Sequence, residues 1–260
     1  MYLIDTHTHL FDEAFDVDRN VVVQNALDAG VEKMILPCVN PQSLSRIDDM
    51  LALWSNNCFA TAGLHPEDIG EDYKGQINEI FGYKFRKPIV AVGEIGIDLY
   101  WRQDNVNLQI EVFEYQLKKA VEMQLPVIIH CRNAYNEIFE VLEKFDITKL
   151  SGVFHCFSGN AEDARRIIEY KSFMFGIGGV VTFKKSGAEI ADIVSNVLPI
   201  EKIVLETDSP YLAPTPNRGK RNESAFVKIT AQKIAELKQL SLEKIIEITT
   251  ANACRLFKID

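Results

Sequence analysis

Residues 2–10, YLIDTHTHL, join a short apolar run to two histidines that stand two positions apart. The run Tyr2–Thr6 has the length and composition of a β-strand. Because successive side chains of a strand point to opposite faces, His7 and His9 share one face, and both rings can reach a single metal ion at about 2.0–2.1 Å. A histidine pair of this kind also occurs as a structural or surface feature, so its meaning depends on the rest of the chain.

The same alternation of short apolar runs and amphipathic segments continues along the chain. Seven further runs have the composition of strands: Lys33–Pro37, Cys58–Gly63, Ile89–Gly93, Val127–His130, Gly152–His155, Phe173–Ile177 and Ile203–Thr207. Apolar residues recur at helical spacing in four clear segments: Val17–Ala29, Asn105–Met123, Ala225–Lys238 and Leu242–Phe257.

This order of elements predicts an α/β fold, a single (β/α)8 TIM barrel of the metal-dependent hydrolase type that spans residues 1–260. Strands that alternate with helices form a parallel sheet, and eight such units suggest closure into a barrel. An open doubly wound sheet is the alternative, and it would place a glycine-rich phosphate loop after the first strand. Here the sequence Thr6-His7-Thr8-His9 stands at that position, which favours the barrel.

The composition is that of a folded chain. Hydrophobic residues make up 47% and charged residues 25% of the 260 positions, which suits a large core and excludes a disordered chain. No apolar run reaches the roughly 18 residues of a membrane span, and the first residues lack a signal-peptide pattern. The five cysteines are odd in number and show no CxxC spacing, which indicates buried free thiols and a cytoplasmic location.

The net charge of −9 restricts how the chain can bind a nucleic acid. Proteins that bind nucleic acid over an extended surface are usually basic. A nucleic acid would therefore have to be held at a local site that is itself positive. A small anionic substrate, which needs no extended basic groove, is the alternative.

All five histidines of the chain lie at, or just beyond, the carboxyl end of a predicted strand. In a parallel barrel these ends meet on one face, the face that carries active sites. His130 ends the run PVIIH, His155 ends SGVFH, and His65 follows its strand in the segment GLHP. A lone histidine is usually a satisfied core residue, but two at the ends of successive strands favour a shared function.

Carboxylates follow two of the strands as well. Glu94 comes directly after IVAVG, where burial without a partner would be costly, and its two oxygens can bridge two cations. A helix cap or a surface turn is the alternative for Glu94. Asp208 ends KIVLETD and can act as a ligand or accept a proton; Glu206 has the same parity, and one of the two is expected to be a structural partner.

Two further acids have open roles. Asp5 shares the parity of the two histidines of the first strand, so it either braces one of their rings or caps the bottom layer of the barrel. Asp98 lies in the loop after Glu94, where it either holds the loop by a hydrogen bond or faces the substrate.

Candidate substrate contacts lie near these residues. Arg132 could grip a phosphate with two hydrogen bonds, a surface salt bridge being the alternative. Ser158 precedes an acid-rich helix whose amino end could donate N–H groups to an anion, or Ser158 could simply cap that helix. A later loop adds three cations that could position flanking phosphates or be merely solvated: Arg218, Lys220 and Arg221.

The aromatic residues Tyr100 and Trp101 stand just beyond the Glu94 segment. Aromatic side chains stack on the bases of single strands. The alternative is that this pair covers the top of the barrel.

At these residues the sequence resembles the TatD family of metal-dependent deoxyribonucleases. The matching segments are IDTHTHL, GLHP, VGEIGID, PVIIHCR, HCFSG, LETDSPYLAP and RGKRNES, in order from residue 4 to residue 224. Two departures are mild: Ile97 stands where Leu is commoner, and Ser224 stands where the last segment usually has Pro. Neither departure touches a predicted metal ligand.

The resemblance implies a TIM barrel that hydrolyses phosphodiesters in DNA with metal-activated water, by removal of nucleotides from a strand end. It implies six metal ligands: His7, His9, Glu94, His130, His155 and Asp208. It also implies that His65 contacts the substrate, which gives a catalytic group of Asp208, Glu94 and His65. We expect two divalent cations, drawn from Mg²⁺, Mn²⁺ and Zn²⁺; histidine-rich ligation suits Zn²⁺ or Mn²⁺ better than Mg²⁺, and the resemblance allows Mg²⁺.

Two rival functions follow from the same residues. Some family members are assigned D-aminoacyl-tRNA deacylase activity, so an ester or amide hydrolase acting on tRNA is the alternative. Related amidohydrolases often bridge their metals with a carboxylated lysine, and Glu94 occupies the equivalent place here, which favours the nuclease. A scaffold without activity should have lost ligands, yet all six positions are kept. DNA is therefore the expected partner, with no membrane and no obligate protein partner.

Overall fold

The computed structural model describes residues 1–260, and its strands form one parallel sheet in sequential order. The strands are β1 Leu3–Asp5, β2 Val31–Leu36, β3 Cys58–Ala62, β4 Ala91–Asp98, β5 Val127–Arg132, β6 Gly152–Phe154, β7 Phe173–Ile177 and β8 Ile203–Leu205. The first and last strands meet where Thr6 N donates to Leu205 O at 3.0 Å, and a parallel bridge joins Thr8 to Ser209 beyond them. The predicted barrel is confirmed, and the open doubly wound sheet is wrong.

Helices connect the strands and surround the sheet. They are α1 Arg19–Asp28, α2 Ser43–Leu53, α3 Tyr73–Gly82, α4 Val106–Met123, α5 Tyr135–Leu142, α6 Ala161–Glu169, α7 Ala188–Asn196, α8 Val227–Lys238 and α9 Leu242–Phe257. Local sequence sets some of the boundaries. Asn160 and Asp163 form a reciprocal capping box at the start of α6, and the Ser241 hydroxyl accepts from Lys244 N at the start of α9.

Two apolar clusters form the core. A cluster of 57 buried residues fills the layer between the sheet and the surrounding helices. A second cluster of 11 residues, which we call the inner cluster, combines strand residues such as Ile128, Val153 and Val204 with Leu256 and Phe257 at the carboxyl end of α9. Since α9 closes one end of the barrel in this way, polar residues further along the same strands are directed to the other end.

The strand register explains why polar side chains gather at that other end. His130, His155 and Glu206 each lie two residues beyond a member of the inner cluster, on the same face of the strand. β4 extends further than its sequence suggests, to Asp98, which pairs with Arg132 of β5. Glu94 therefore lies inside a strand, with 2% of its surface exposed, rather than in a turn behind one.

Other general features can be read from the same structure. All five cysteines are free, and three of them are buried. No helix combines the length and the apolar character that crossing a bilayer would require.

Candidate metal centre

The six predicted ligands come from five different strands and meet at the carboxyl ends of those strands. His7 and His9 follow β1, Glu94 lies in β4, and His130 lies in β5. His155 and Asp208 follow β6 and β8. The chain separation between these residues reaches 201 positions, from His7 to Asp208, and the barrel alone brings them together.

Glu94 is the centre of this group, because all five histidines approach its carboxylate. Oε2 lies 3.2 Å from His7 Nε2 and 4.0 Å from His9 Nε2. Oε1 faces the other three rings, at 3.3 Å from His65 Nε2, 2.9 Å from His130 Nδ1 and 3.5 Å from His155 Nε2. The two oxygens thus divide the histidines into two sets, as expected of a carboxylate placed to bridge two cations.

Asp208 faces the same centre from the opposite side. Its Oδ1 lies 3.4 Å from His9 Nε2, 3.8 Å from His7 Nε2 and 4.0 Å from His155 Nε2. The backbone of Asp208 is left-handed, with φ +57°, and its N–H donates to His7 O at 2.9 Å. This local conformation, which is uncommon for residues other than Gly, Asn and Asp, turns the carboxylate toward the barrel mouth.

Two further carboxylates hold the far sides of the histidine rings. Asp98 Oδ2 lies 3.0 Å from His130 Nε2. Glu206 Oε1 lies 3.3 Å from His155 Nδ1, although these atoms are not aligned for a hydrogen bond; the same oxygen accepts from Cys156 N at 2.5 Å. Asp98 thus contacts a histidine in addition to holding its own loop, and Glu206 has the contacts expected of a structural partner.

Asp5 does not contact a histidine ring. Its carboxylate accepts from Thr207 N at 2.9 Å and from Thr207 Oγ1 at 2.6 Å. Asp5 therefore joins β1 to the chain that follows β8, next to the ligands but not among them. Burial raises the pKa of this carboxyl to about 7.

The charges of the centre are strongly coupled. Burial opposes a charge on Glu94, but the neighbouring His65, His7 and His155 hold its pKa well below the usual range. Burial also opposes protonation of His155 and His130, yet Glu206 and Glu94 raise the pKa of His155 to about 10. Asp98 and Glu94 raise the pKa of His130 to about 9. With pKa values raised in this way, His130 and His155 hold protons that a bound cation would displace.

These residues fit divalent cations. His7 Nε2 lies only 3.2 Å from His9 Nε2, and the rings of His7 and His155 stack at 3.5 Å, so nitrogen donors crowd around buried carboxylates. Four sets place one donor atom from each residue within 4.8 Å of the others: His7–His9–Glu94, His7–His155–Asp208, His65–Glu94–His130 and Glu67–Asp98–His130. Imidazole and carboxylate donors suit Zn²⁺, Mn²⁺ and related ions.

The ring of His65 directly contacts Glu94, which brings it closer to the metal centre than a residue that contacts only the substrate has to lie. Its Nε2 approaches Glu94, while its Nδ1 accepts from Glu67 N at 3.2 Å. Pro66 and Glu67 begin a short 3-10 turn that His65 caps in this way. The imidazole is thus held in one orientation at the edge of the cavity.

A cavity of about 720 Å³ opens above the centre. Arg132 and Ser158 line it, as a role in substrate binding requires. Four other lining residues were not among the candidates predicted from the sequence: Asp12, Glu67, Asp68 and Tyr211. The closeness of Glu67 and Asp68 to His65 along the chain was the available signal, because a short turn after a site histidine brings its neighbours to the same rim.

The structure does not bring the three loop cations into this cavity. Arg221 donates to both oxygens of Asp18, at 2.9 and 2.6 Å, and packs over Phe15. Arg218 packs over Phe183 at 4.4 Å. Lys220 also lies outside the cavity lining. The expected phosphate contacts of Arg218 and Arg221 are therefore corrected: partners distant in sequence hold both guanidinium groups elsewhere.

Comparisons with known proteins identify the family of the chain. A family model described as TatD related DNase matches residues 4–258. The chain is 36% identical to the uncharacterized metal-dependent hydrolase YabD of Bacillus subtilis, over 99% of this chain and 100% of that protein. It is 32% identical to the 3'-5' ssDNA/RNA exonuclease TatD of Shigella flexneri, over 99% of each chain.

Comparison with solved structures identifies the same family. The crystal structure of YjjV, a TatD homologue from Escherichia coli, superposes with a TM-score of 0.91 at 28% identity. The superposition covers 99% of this chain and 98% of that one. The present chain therefore belongs to the TatD family of metal-dependent hydrolases.

Proposed function

We propose that this chain, as one domain of residues 1–260, uses two divalent cations to hydrolyse phosphodiester bonds at the end of a DNA strand. The observation that carries the proposal is the approach of all five histidines to the single carboxylate of Glu94. The Shigella relative is named as an exonuclease on single-stranded DNA and RNA, which supports the choice of substrate.

The ligands divide between the two cations by geometry. Because His7 and His9 approach Glu94 Oε2 and His130 and His155 approach Oε1, we assign His7, His9 and Asp208 to one cation, His130 and His155 to the other, and Glu94 to both. When bound, such ions lower the pKa of a water molecule and polarise the phosphoryl group. Zn²⁺, Mn²⁺ and Mg²⁺ are the candidates, with nitrogen ligation favouring the first two.

The residues of the chain bind and orient the substrate and move the proton. Two divalent cations would offset the four carboxylates gathered at the centre, Glu94, Asp98, Glu206 and Asp208, and would bind a phosphate directly on a chain of net charge −9. The guanidinium of Arg132 and the Ser158 segment, both in the cavity lining, hold the phosphate oxygens. Asp208, at the open side of the centre, accepts the proton of the attacking water.

The proposal is tested with paired substrates. A single-stranded oligonucleotide and a D-aminoacyl-tRNA are incubated with the protein, each with and without chelator, and bound metal is counted by elemental analysis. We expect chelator-sensitive release of nucleotides from the oligonucleotide and two metal equivalents per chain. Loss of the aminoacyl ester with the oligonucleotide left intact would assign the alternative function.

A matched pair of variants connects the activity to the site. Glu94→Gln removes the bridging charge and is expected to lower both metal content and turnover. Glu79→Gln makes the same change on an exposed face of α3 and should leave both at their original values. Equal activity in the two variants would contradict the proposed role of Glu94.

A further inference from the structure

An exposed aromatic pair that the metal centre does not use lies beside the cavity, and Trp101 of this pair lines it. Tyr100 and Trp101 are 51% and 60% exposed. Their rings meet edge to face, with centroids 4.7 Å apart at 90°. Side chains that covered the barrel top would be buried, so this exposure argues against that role.

Polar contacts hold the turn that carries these aromatics. The N–H groups of Tyr100 and Trp101 both donate to Asp98 Oδ1, at 2.8 and 2.7 Å. The buried Gln109 fixes the surrounding backbone, because its side chain accepts from Asp98 N and donates to Arg102 O. The large exposed rings therefore stand on a fixed backbone, and a ligand that stacks on them would not have to order the turn first.

Arg132 completes this group of side chains. Its guanidinium lies 4.0 Å from the ring centroid of Tyr100 and 5.4 Å from that of Trp101. No carboxylate forms a salt bridge with Arg132. The side chains of Tyr100, Trp101 and Arg132, which we call the aromatic platform, thus offer the exposed ring of Trp101, with the Tyr100 ring perpendicular to it, beside an unpaired cation.

The charges around the cavity indicate why such a surface is needed. Arg132 is the one Lys or Arg in the lining, whereas Asp12, Glu67 and Asp68 add negative charge to it. Attraction between basic groups and phosphates provides most nucleic-acid affinity in other proteins. Here that attraction is limited to the centre and one arginine, so stacking on the platform is the remaining source of affinity at the entrance.

We propose that the aromatic platform binds an unpaired nucleobase of the substrate strand, with Arg132 on the adjoining phosphate. This inference rests on the proposed function, which it extends by naming the group that recognises the strand. A base inside a duplex is stacked on both sides and paired, so its face is closed to Trp101. The platform therefore selects a single-stranded end over a paired one.

Tryptophan fluorescence tests the binding step without any turnover. The chain has two tryptophans, and Trp54→Phe leaves Trp101 as the sole reporter. In chelator, this protein is titrated with tetrathymidylate and with a strand of equal length whose sugars lack bases. We expect tetrathymidylate to quench the emission and the abasic strand to leave it unchanged; equal responses would overturn the proposal.

Kinetics of the metal-loaded protein test the same site. Trp101→Ala should raise KM for a thymidylate strand about tenfold, within the range that base stacking supplies, and leave kcat unchanged because stacking holds substrate and transition state alike. Trp101→Phe should restore most of the loss. Tyr115→Ala removes an aromatic of α4 that is 41% exposed and lies outside the cavity, and should leave KM unchanged.

The outcomes separate this proposal from the proposed function. If quenching by tetrathymidylate persists but no strand is cleaved, the nuclease function fails and the platform stands. If base-bearing and abasic strands are cleaved with equal kcat/KM and Trp101→Ala behaves as wild type, the platform fails and the nuclease function stands. Absence of both quenching and cleavage would overturn both.

Discussion

Asp98 Oδ2 lies 3.0 Å from Nε2 of His130, while Glu94 Oε1 lies 2.9 Å from Nδ1 of the same ring. His130 therefore turns a different nitrogen to the centre than His7, His9, His65 and His155, which all present Nε2 to Glu94. A carboxylate on Nε2 fixes the proton there and leaves the lone pair on Nδ1. Asp98 also accepts from the aromatic turn, so one side chain positions both a metal ligand and the entrance.

Asp98→Asn is expected to weaken one cation more than the other. The amide oxygen of the variant would continue to accept hydrogen bonds from the N–H groups of Tyr100 and Trp101. Its NH₂ group would then face His130 Nε2 and move the ring proton to Nδ1. We expect the affinity for the cation beside His130 to fall about 10- to 100-fold. Elemental analysis after dialysis should give nearly one metal equivalent per chain, and two tightly held equivalents would contradict this role.

Asp208→Asn should separate metal binding from turnover. Asparagine adopts the left-handed conformation of residue 208 without difficulty, so the fold and most of the bound metal should be kept. Loss of the proton acceptor should lower kcat about 100- to 10,000-fold. Turnover is measured beside metal content, with Asp49→Asn on the exposed face of α2 as the control. Wild-type turnover in Asp208→Asn would exclude the assigned role.

The sequence was sufficient to predict that the six candidate ligands come together, because their meeting depends on topology alone. Each ligand lies in or directly behind an apolar run, and in a parallel barrel the carboxyl ends of such runs share one face. The pairing of Asp98 with His130 depends on a finer property, the continuation of β4 to Asp98 in register with β5. The apolar run in the sequence ends at Gly93, so its hydropathy does not indicate that the strand continues to Asp98.

The loop cations illustrate the opposite case, in which the sequence pattern does not place the side chains correctly. The pattern of basic residues predicts phosphate contacts for Arg218 and Arg221, but the partners of a long side chain are set by the tertiary fold. Asp18, which binds Arg221, lies 203 positions away in the chain, and no local pattern connects the two residues.

The salt dependence of strand binding should distinguish the two kinds of arginine. Arg132→Ala removes a phosphate contact, so the slope of log affinity against log salt concentration should decrease by about 0.7, the value for one contact with a single strand. Arg221→Ala breaks a pair with Asp18 outside the cavity and should leave the slope unchanged. Affinity is measured between about 50 and 200 mM salt. Equal slopes for Arg132→Ala and wild type would show that Arg132 does not contact a phosphate of the bound strand.

Gly96→Ala should disturb the metal centre through the backbone. Gly96 pairs with His130 across β4 and β5 and has φ +150°. A Cβ at this position would collide with the backbone carbonyl of His130, so the strands must separate or residue 96 must change conformation. We expect the free energy of unfolding of the metal-free protein to fall by about 2–4 kcal/mol, together with a lower affinity for the cation beside His130.

Gly82→Ala provides the matched control for this change. Gly82 ends α3, and a Cβ there would meet no atom within 4 Å, so its stability should be unchanged or slightly higher, as alanine favours helices. Both variants are unfolded with denaturant, and their bound metal is then counted. If Gly96→Ala unfolds at the same denaturant concentration as Gly82→Ala and keeps two metal equivalents, the close contact between β4 and His130 does not position that ligand.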